Sequence, residues 1–214
     1  MPLGASSSRP RARGPLFFFA VRGVCAVAHG ASANRNAAQM TSQRGLRYKL
    51  NREEKVPMDI NDKAPEFTLP DQNGENVSLK DLRGKYVVLY FYPRADTPGC
   101  TVEACEFRDS YKKVEKTGAV VLGVSPDTPK ALKKFEEKYG LPFTLLGDAD
   151  KKVCNAYGVI QEKNMYGKKV MGVARTTFII GPDGRIKHIF QKVKPQGHAD
   201  EVLTYLKSAA KGAA

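Results

Sequence analysis

A chain of 214 residues with 42% apolar and 27% charged side chains can bury one ordinary core and still carry an extension. No apolar run approaches about 18 residues, which excludes a membrane-spanning helix. The formal charge of +13 suggests an anionic partner, but nine of the basic side chains fall within residues 1–52, where there is no Asp or Glu, leaving 26 basic against 22 acidic groups in the rest. The lysines at 112, 113, 116, 133, 134, 138, 151 and 152 lie on predicted helix faces among Glu and Asp, as solvated surface does, so no nucleic-acid partner is expected.

Residues 1–52, rich in Ala, Ser, Gly and Arg, have the composition of an organelle transit peptide. The plastid is the favoured destination and the mitochondrion the alternative. A secretory signal is the third reading, disfavoured because Arg22 interrupts the apolar run PLFFFAV. The folded domain is expected over 56–209. EFTLPDQNGENVSL alternates around Gln72-Asn73-Gly74, a hairpin signal, and Ser78 with Asp81 suggests a capped helical turn ending at Gly84. YVVLYFY (Tyr86 to Tyr92) reads as a central strand covered on both faces, ended by Pro93. A helix is predicted from Cys100 to Lys116, a buried strand over Ala119–Ser125, and a helix opened by Thr128 and Pro129 and closed by Gly140. A strand over Phe143–Asp148, a short helix over Lys151–Tyr157, a hairpin turning at Gly181–Gly184 and a helix from His198 to Lys207 complete the order. That order predicts an α/β protein: a thioredoxin-like fold, with a mixed central sheet, helices on both faces and an N-terminal β-hairpin.

Four cysteines, Cys25, Cys100, Cys105 and Cys154, are too few for a disulfide scaffold. Cys100 stands at a strand-to-helix corner, just after Thr97-Pro98-Gly99, where unpaired N–H groups and the helix dipole favour a thiolate. An ordinary thiol, with a pKa near 8.5, is roughly 3% ionised at pH 7; a pKa of about 6 would make it roughly 90% ionised. That thirtyfold gain is small for a fast redox enzyme, which also needs fixed donors for the leaving group. Thr97 is placed to supply one, Pro93 and Pro98 stiffen the loop, and Arg175, opening the run RTTFII, is the strongest candidate for a guanidinium. Cys105, five residues on, is the first candidate partner of Cys100. Cys154 reads as core.

The frame Pro93-x3-Thr97-x2-Cys100, with the strings FYPRADTPGCTVEACEFRD and MGVARTTFIIGPDGRI, resembles the peroxiredoxins, and within them the peroxiredoxin Q or bacterioferritin comigratory protein subgroup. The likeness runs from about Asp59 to Lys207. It implies a thioredoxin-fold, thiol-dependent peroxidase acting on hydrogen peroxide and organic hydroperoxides. Cys100 corresponds to the attacking cysteine, Thr97 and Pro93 to its loop partners, Arg175 to the guanidinium and Cys105 to the resolving cysteine of an intramolecular disulfide. Thioredoxin or glutaredoxin is the implied reductant, and a monomer the implied state. In an unbroken helix, residues five apart have Cα atoms about 8.7 Å apart, whereas a disulfide needs less than about 7 Å, so the first turns must unwind.

Two other function classes compete. A thioredoxin-like disulfide oxidoreductase would want C-x-x-C, which is missing, and a non-catalytic binding module could use the fold with an inert cysteine. The histidines His29, His188 and His198 form no motif with the cysteines. Zinc-ligand spacing, a haem-attachment motif and a phosphate-cradling loop are likewise missing, so neither metal nor cofactor is expected.

Overall fold

Apolar at nearly every position, Tyr86–Tyr92 has no polar face to turn to water, and the sheet forms around it. The computed structural model describes residues 57–165 and 168–211; the extension expected over residues 1–52 lies outside the described residues. Strand β3 (Val87–Phe91) is buried at every position and occupies the centre of a five-stranded sheet. On one side it pairs in parallel with β4 (Val120–Ser125), which pairs in parallel with β5 (Thr144–Gly147). On the other it pairs antiparallel with β8 (Thr176–Ile180), which turns back into β9 (Ile186–Phe190). The order is β5-β4-β3-β8-β9.

Alternation along β3 supplies two cores. Val87, Leu89 and Phe91 join Phe178, Tyr157 and Cys154 on one face; Val88 and Tyr90 join Cys100, Phe107, Phe135 and Leu203 on the other. The second face is covered by α1 (Pro98–Glu115), α2 (Pro129–Tyr139) and α4 (His198–Lys211). The first is covered by the short α3 (Lys152–Ala156) and by the N-terminal hairpin of β1 (Thr68–Pro70) and β2 (Asn76–Ser78). In that hairpin's turn, the Asp71 carboxylate accepts the N–H groups of Asn73 at 2.8 Å and Glu75 at 2.9 Å.

Several local signals act as read. Thr128 caps α2 by accepting the Ala131 N–H, Pro129 is its first residue, and Gly140 ends it in the left-handed region. Others do not. Ser78 makes no side-chain cap to the 3-10 turn Leu79–Leu82; its hydroxyl donates to the Phe67 carbonyl across the hairpin instead. Helix α1 begins at Pro98, two residues before the predicted start, because proline at the first helical position forfeits no bond. An antiparallel ribbon of β6 (Ile160–Met165) and β7 (Lys168–Val173) appears where no strand was predicted. Between Ile160 and Val173 its sequence, QEKNMYGKKVMG, is mostly polar or glycine, with Tyr166 and Val170 as its strand-favouring residues; its ladder is fixed where Val159 and Val173 enter the core.

Tight contact at the sheet centre gives a stability test. The Tyr90 ring stacks on Tyr92 at 5.4 Å and Phe107 at 4.9 Å, and its hydroxyl lies against Gly123, the residue beside it in β4. A Cβ at Gly123 would lie 2.6 Å from the Tyr90 oxygen, and the buried, stacked ring has little room to yield. Gly123→Ala is expected to cost about 1–3 kcal/mol of unfolding free energy in urea; an unchanged midpoint would show the ring to be mobile.

Candidate active site

The first turn of α1 is where a sulfur and a guanidinium meet. Pro93 follows the end of β3, and the chain reaches α1 through a loop tied down at each step. The Ala95 N–H donates to the Asp127 carboxylate at 2.7 Å, which also accepts the Ser125 hydroxyl at 2.8 Å. Asp96, a non-glycine residue with φ of 55°, has its carboxylate held by Lys138 Nζ at 2.8 Å to both oxygens and by the Tyr139 hydroxyl at 2.7 Å. Thr97 is the N-cap residue, and the Thr101 N–H opens the helical ladder on the Thr97 carbonyl at 2.8 Å. Pro98 has no N–H, so the N–H groups of Gly99 and Cys100 lie ahead of that ladder, at the positive end of the helix.

Cys100 is 2% exposed, and its sulfur accepts a hydrogen bond from Arg175 Nη2 at 3.3 Å. Arg175 comes from far along the chain by one register: β8 runs antiparallel to β3 with Thr176 opposite Phe91, so the residue before Thr176 emerges at the end of β3 that leads into α1. Gly99 leaves room for it, since a Cβ there would lie 3.3 Å from Arg175 Nη2 and 3.6 Å from Pro195. The Thr97 hydroxyl, expected as a donor beside the sulfur, instead donates to the Arg94 carbonyl at 3.1 Å, folding back over its own loop. Its lone pairs remain available as acceptors.

The residue that sequence reasoning missed is Glu103. It lies three positions after Cys100 on the same helix face, is 1% exposed, and pairs through Oε2 with Arg175 Nη1. Its other oxygen has no partner among the described residues. Burial pushes the Glu103 carboxyl up to about 7 against the opposing pull of Arg175. Burial works against the Arg175 charge, but Glu103 and the Cys100 sulfur outweigh it and hold the guanidinium above its ordinary range. The only signal in the sequence is the spacing of three, which places both side chains on one face.

The remaining cysteines fall in different settings. Cys105 is half-buried on the unbroken α1 and carries a free thiol. Cys154 is fully buried in the core on the opposite face of the sheet. Burial, reinforced by the Asp148 carboxylate that caps its helix, drives its thiol far above the ordinary range, so it stays un-ionised. Among the described residues no cluster of His, Cys, Asp or Glu could hold a metal, and no described helix is long and apolar enough to cross a membrane.

Known proteins resemble this chain in sequence and in fold. The AhpC/TSA family pattern matches residues 60–189. Peroxiredoxin Bcp of Escherichia coli is 49% identical over 154 residues, covering 72% of this chain and 99% of its own. Among solved structures, the bacterioferritin comigratory protein of Xanthomonas campestris, described through its alkyl peroxide reduction activity, is 39% identical with a TM-score of 0.67, covering 73% of this chain and 99% of its own. PrxQ of Xylella fastidiosa is 39% identical with a TM-score of 0.70 over the same shares.

The Glu103 carboxyl makes stability depend on pH. Its folded pKa, about 7, lies above the ordinary 4.5, so the folded chain holds the extra proton between those values. This group's contribution therefore makes stability fall as pH rises from about 4.5 to about 7. Comparing urea midpoints at pH 5 and pH 7.5, the wild type should lose more than Glu103→Gln; equal losses would remove Glu103 as the cause.

Proposed function

This chain belongs to the AhpC/TSA family, and from that premise we propose that Cys100 is its attacking thiol and Cys105 its resolving thiol. The chain is a thiol-dependent peroxidase of the peroxiredoxin Bcp type. The observation that carries the residue assignment is the Arg175 guanidinium 3.3 Å from a sulfur on the first turn of a helix.

The Cys100 thiolate attacks one peroxide oxygen; an S–O bond forms, the O–O bond breaks, and the departing alkoxide or hydroxide leaves as alcohol or water after taking a proton. Arg175 and the free N–H groups at the start of α1 lie where negative charge moves from sulfur to the departing oxygen. Glu103 holds the guanidinium in that orientation, Thr97 offers lone pairs to a peroxide O–H, and Pro93 stiffens the start of the loop. Cys105 then displaces hydroxide from the sulfenic sulfur, forming the disulfide and releasing water. A thioredoxin-type dithiol returns the disulfide to two thiols by exchange.

The alkyl peroxide activity described for the Xanthomonas protein supports organic hydroperoxides as substrates beside hydrogen peroxide. Glutaredoxin is the second candidate reductant, and we take the working unit to be a monomer. Residues 1–52, with nine basic side chains and no acid, serve on this reading as a plastid transit peptide.

In a thioredoxin-coupled peroxide assay, Cys100→Ser should abolish turnover. Arg175→Met should slow peroxide attack by about 10²–10³-fold. Cys105→Ser should consume about one equivalent of peroxide and then stall. Full coupled turnover by Cys105→Ser would transfer the resolving role away from Cys105, and turnover by Cys100→Ser would end the assignment of the nucleophile.

A further inference from the structure

The two sulfurs stand on one unbroken helix, five residues apart, with Cα atoms about 8.7 Å apart in ideal geometry against the disulfide limit of about 7 Å. Something must decide how far the helix opens. The hydrogen bonds around α1 divide it sharply. Upstream of Thr97, Ala95 is tied to Asp127 and Asp96 to Lys138 and Tyr139. Downstream of Cys105, the Glu106 carboxylate accepts the Gly197 N–H through both oxygens at 2.9 and 2.8 Å, and Arg108 Nη1 donates to the Tyr139 carbonyl at 2.9 Å. Between these ties, the side-chain hydrogen bonds from residues 97–105 to other elements, among the described residues, all run to Arg175.

One residue takes part on both sides. Tyr139, the last residue of α2, binds Asp96 through its hydroxyl and Arg108 through its carbonyl. We propose that the Lys138–Tyr139 end of α2 is a clamp that bounds the opening of α1 to residues 97–105, with Lys138, Tyr139 and Arg108 as positioning residues that set the rate of disulfide closure apart from that of peroxide attack. The inference rests on the assignment of Cys100 and Cys105 as attacking and resolving thiols.

The physical case has three parts. Asp96 sits in the left-handed region, unfavourable for a residue with a side chain, and three bonds to one carboxylate offset that cost. Lys138 and Asp96 are about half exposed, which screens their Coulomb attraction and leaves the Tyr139 hydroxyl as the directional contact. Closing the disulfide shortens the distance between two points of a segment whose ends are tied to the same end of α2, so fixed ends oppose closure. The ties inside the segment, by contrast, all meet at Arg175, whose attraction to Cys100 weakens once the thiolate charge is spent on the peroxide. Oxidation thus loosens the middle while the clamp keeps the ends.

The closure step balances without another reactant: the Cys105 sulfur bonds to the Cys100 sulfenic sulfur, the S–O bond breaks, and the oxygen leaves as water with the thiol proton. The test mixes reduced full-length protein with hydrogen peroxide, quenches, and follows sulfenic, disulfide and sulfinic forms by intact mass. Tyr139→Phe removes the upstream bond and keeps the carbonyl; Arg108→Met removes the downstream one. Each should speed closure about three- to tenfold, the range of one hydrogen bond, and lower the sulfinic fraction at excess peroxide in proportion, with the rate of peroxide attack held within about twofold. Unchanged closure in both variants overturns the clamp while leaving the two thiols assigned. So does a fall in attack and closure together, which marks a generally loosened site. A wild type that forms no Cys100–Cys105 disulfide overturns the pairing and the clamp with it.

Discussion

A single guanidinium, shared between a sulfur and a carboxylate on one helix face, is the contact around which this site is arranged. Arg175 reaches Cys100 with one nitrogen and Glu103 with the other. Each partner alone would leave part of a nearly buried cation uncompensated, at a cost of several kcal/mol. The three groups therefore stand or fall as a unit. Their meeting depends on the β3–β8 register: a slip of one residue would send the side chain at 175 to the other face of the sheet. The apolar packing of Val88, Tyr90 and Ile179 against α1 and α4 fixes that register and so holds the chemistry.

What could be read in the residues was whatever is settled by neighbours in sequence. The all-apolar runs at β3 and β4 need cover on two faces wherever they occur, and Thr128-Pro129 followed by Gly140 writes both ends of α2 into the chain. The Pro-Gly-Cys corner carries its own helix start. What could not be read was settled by partners from elsewhere. Glu103 looks like any helical glutamate until Arg175 arrives from just ahead of β8, 72 positions later. The β6–β7 ribbon is mostly polar along its length, and its pairing is anchored where its ends enter the core. Thr97 turned its hydroxyl to the Arg94 carbonyl, an orientation that spacing alone does not decide.

The central sheet also acts as a partition between sulfurs. Cys100 and Cys154 belong to opposite cores, with the buried strands between them, and their electrostatic settings are opposed as well. One faces a cation and the start of a long helix; the other faces a buried carboxylate. Two cysteines of similar burial thus stand in opposed electrostatic settings, a difference that exposure alone does not reveal.

The contrast between the two cysteines of α1 has an evolutionary consequence. Cys100 is fixed by a register, an ion pair, a missing side chain at Gly99 and the first turn of a helix, so displacing it by one position would break every contact at once. Cys105 is half-buried and bound into no such set. On the assignment proposed above, the resolving thiol needs only to come within reach of the segment that opens, and many surface positions around that segment satisfy the requirement. Lineages descending from such a protein are free to move the second sulfur, or to borrow one from another molecule, while the first stays where it is.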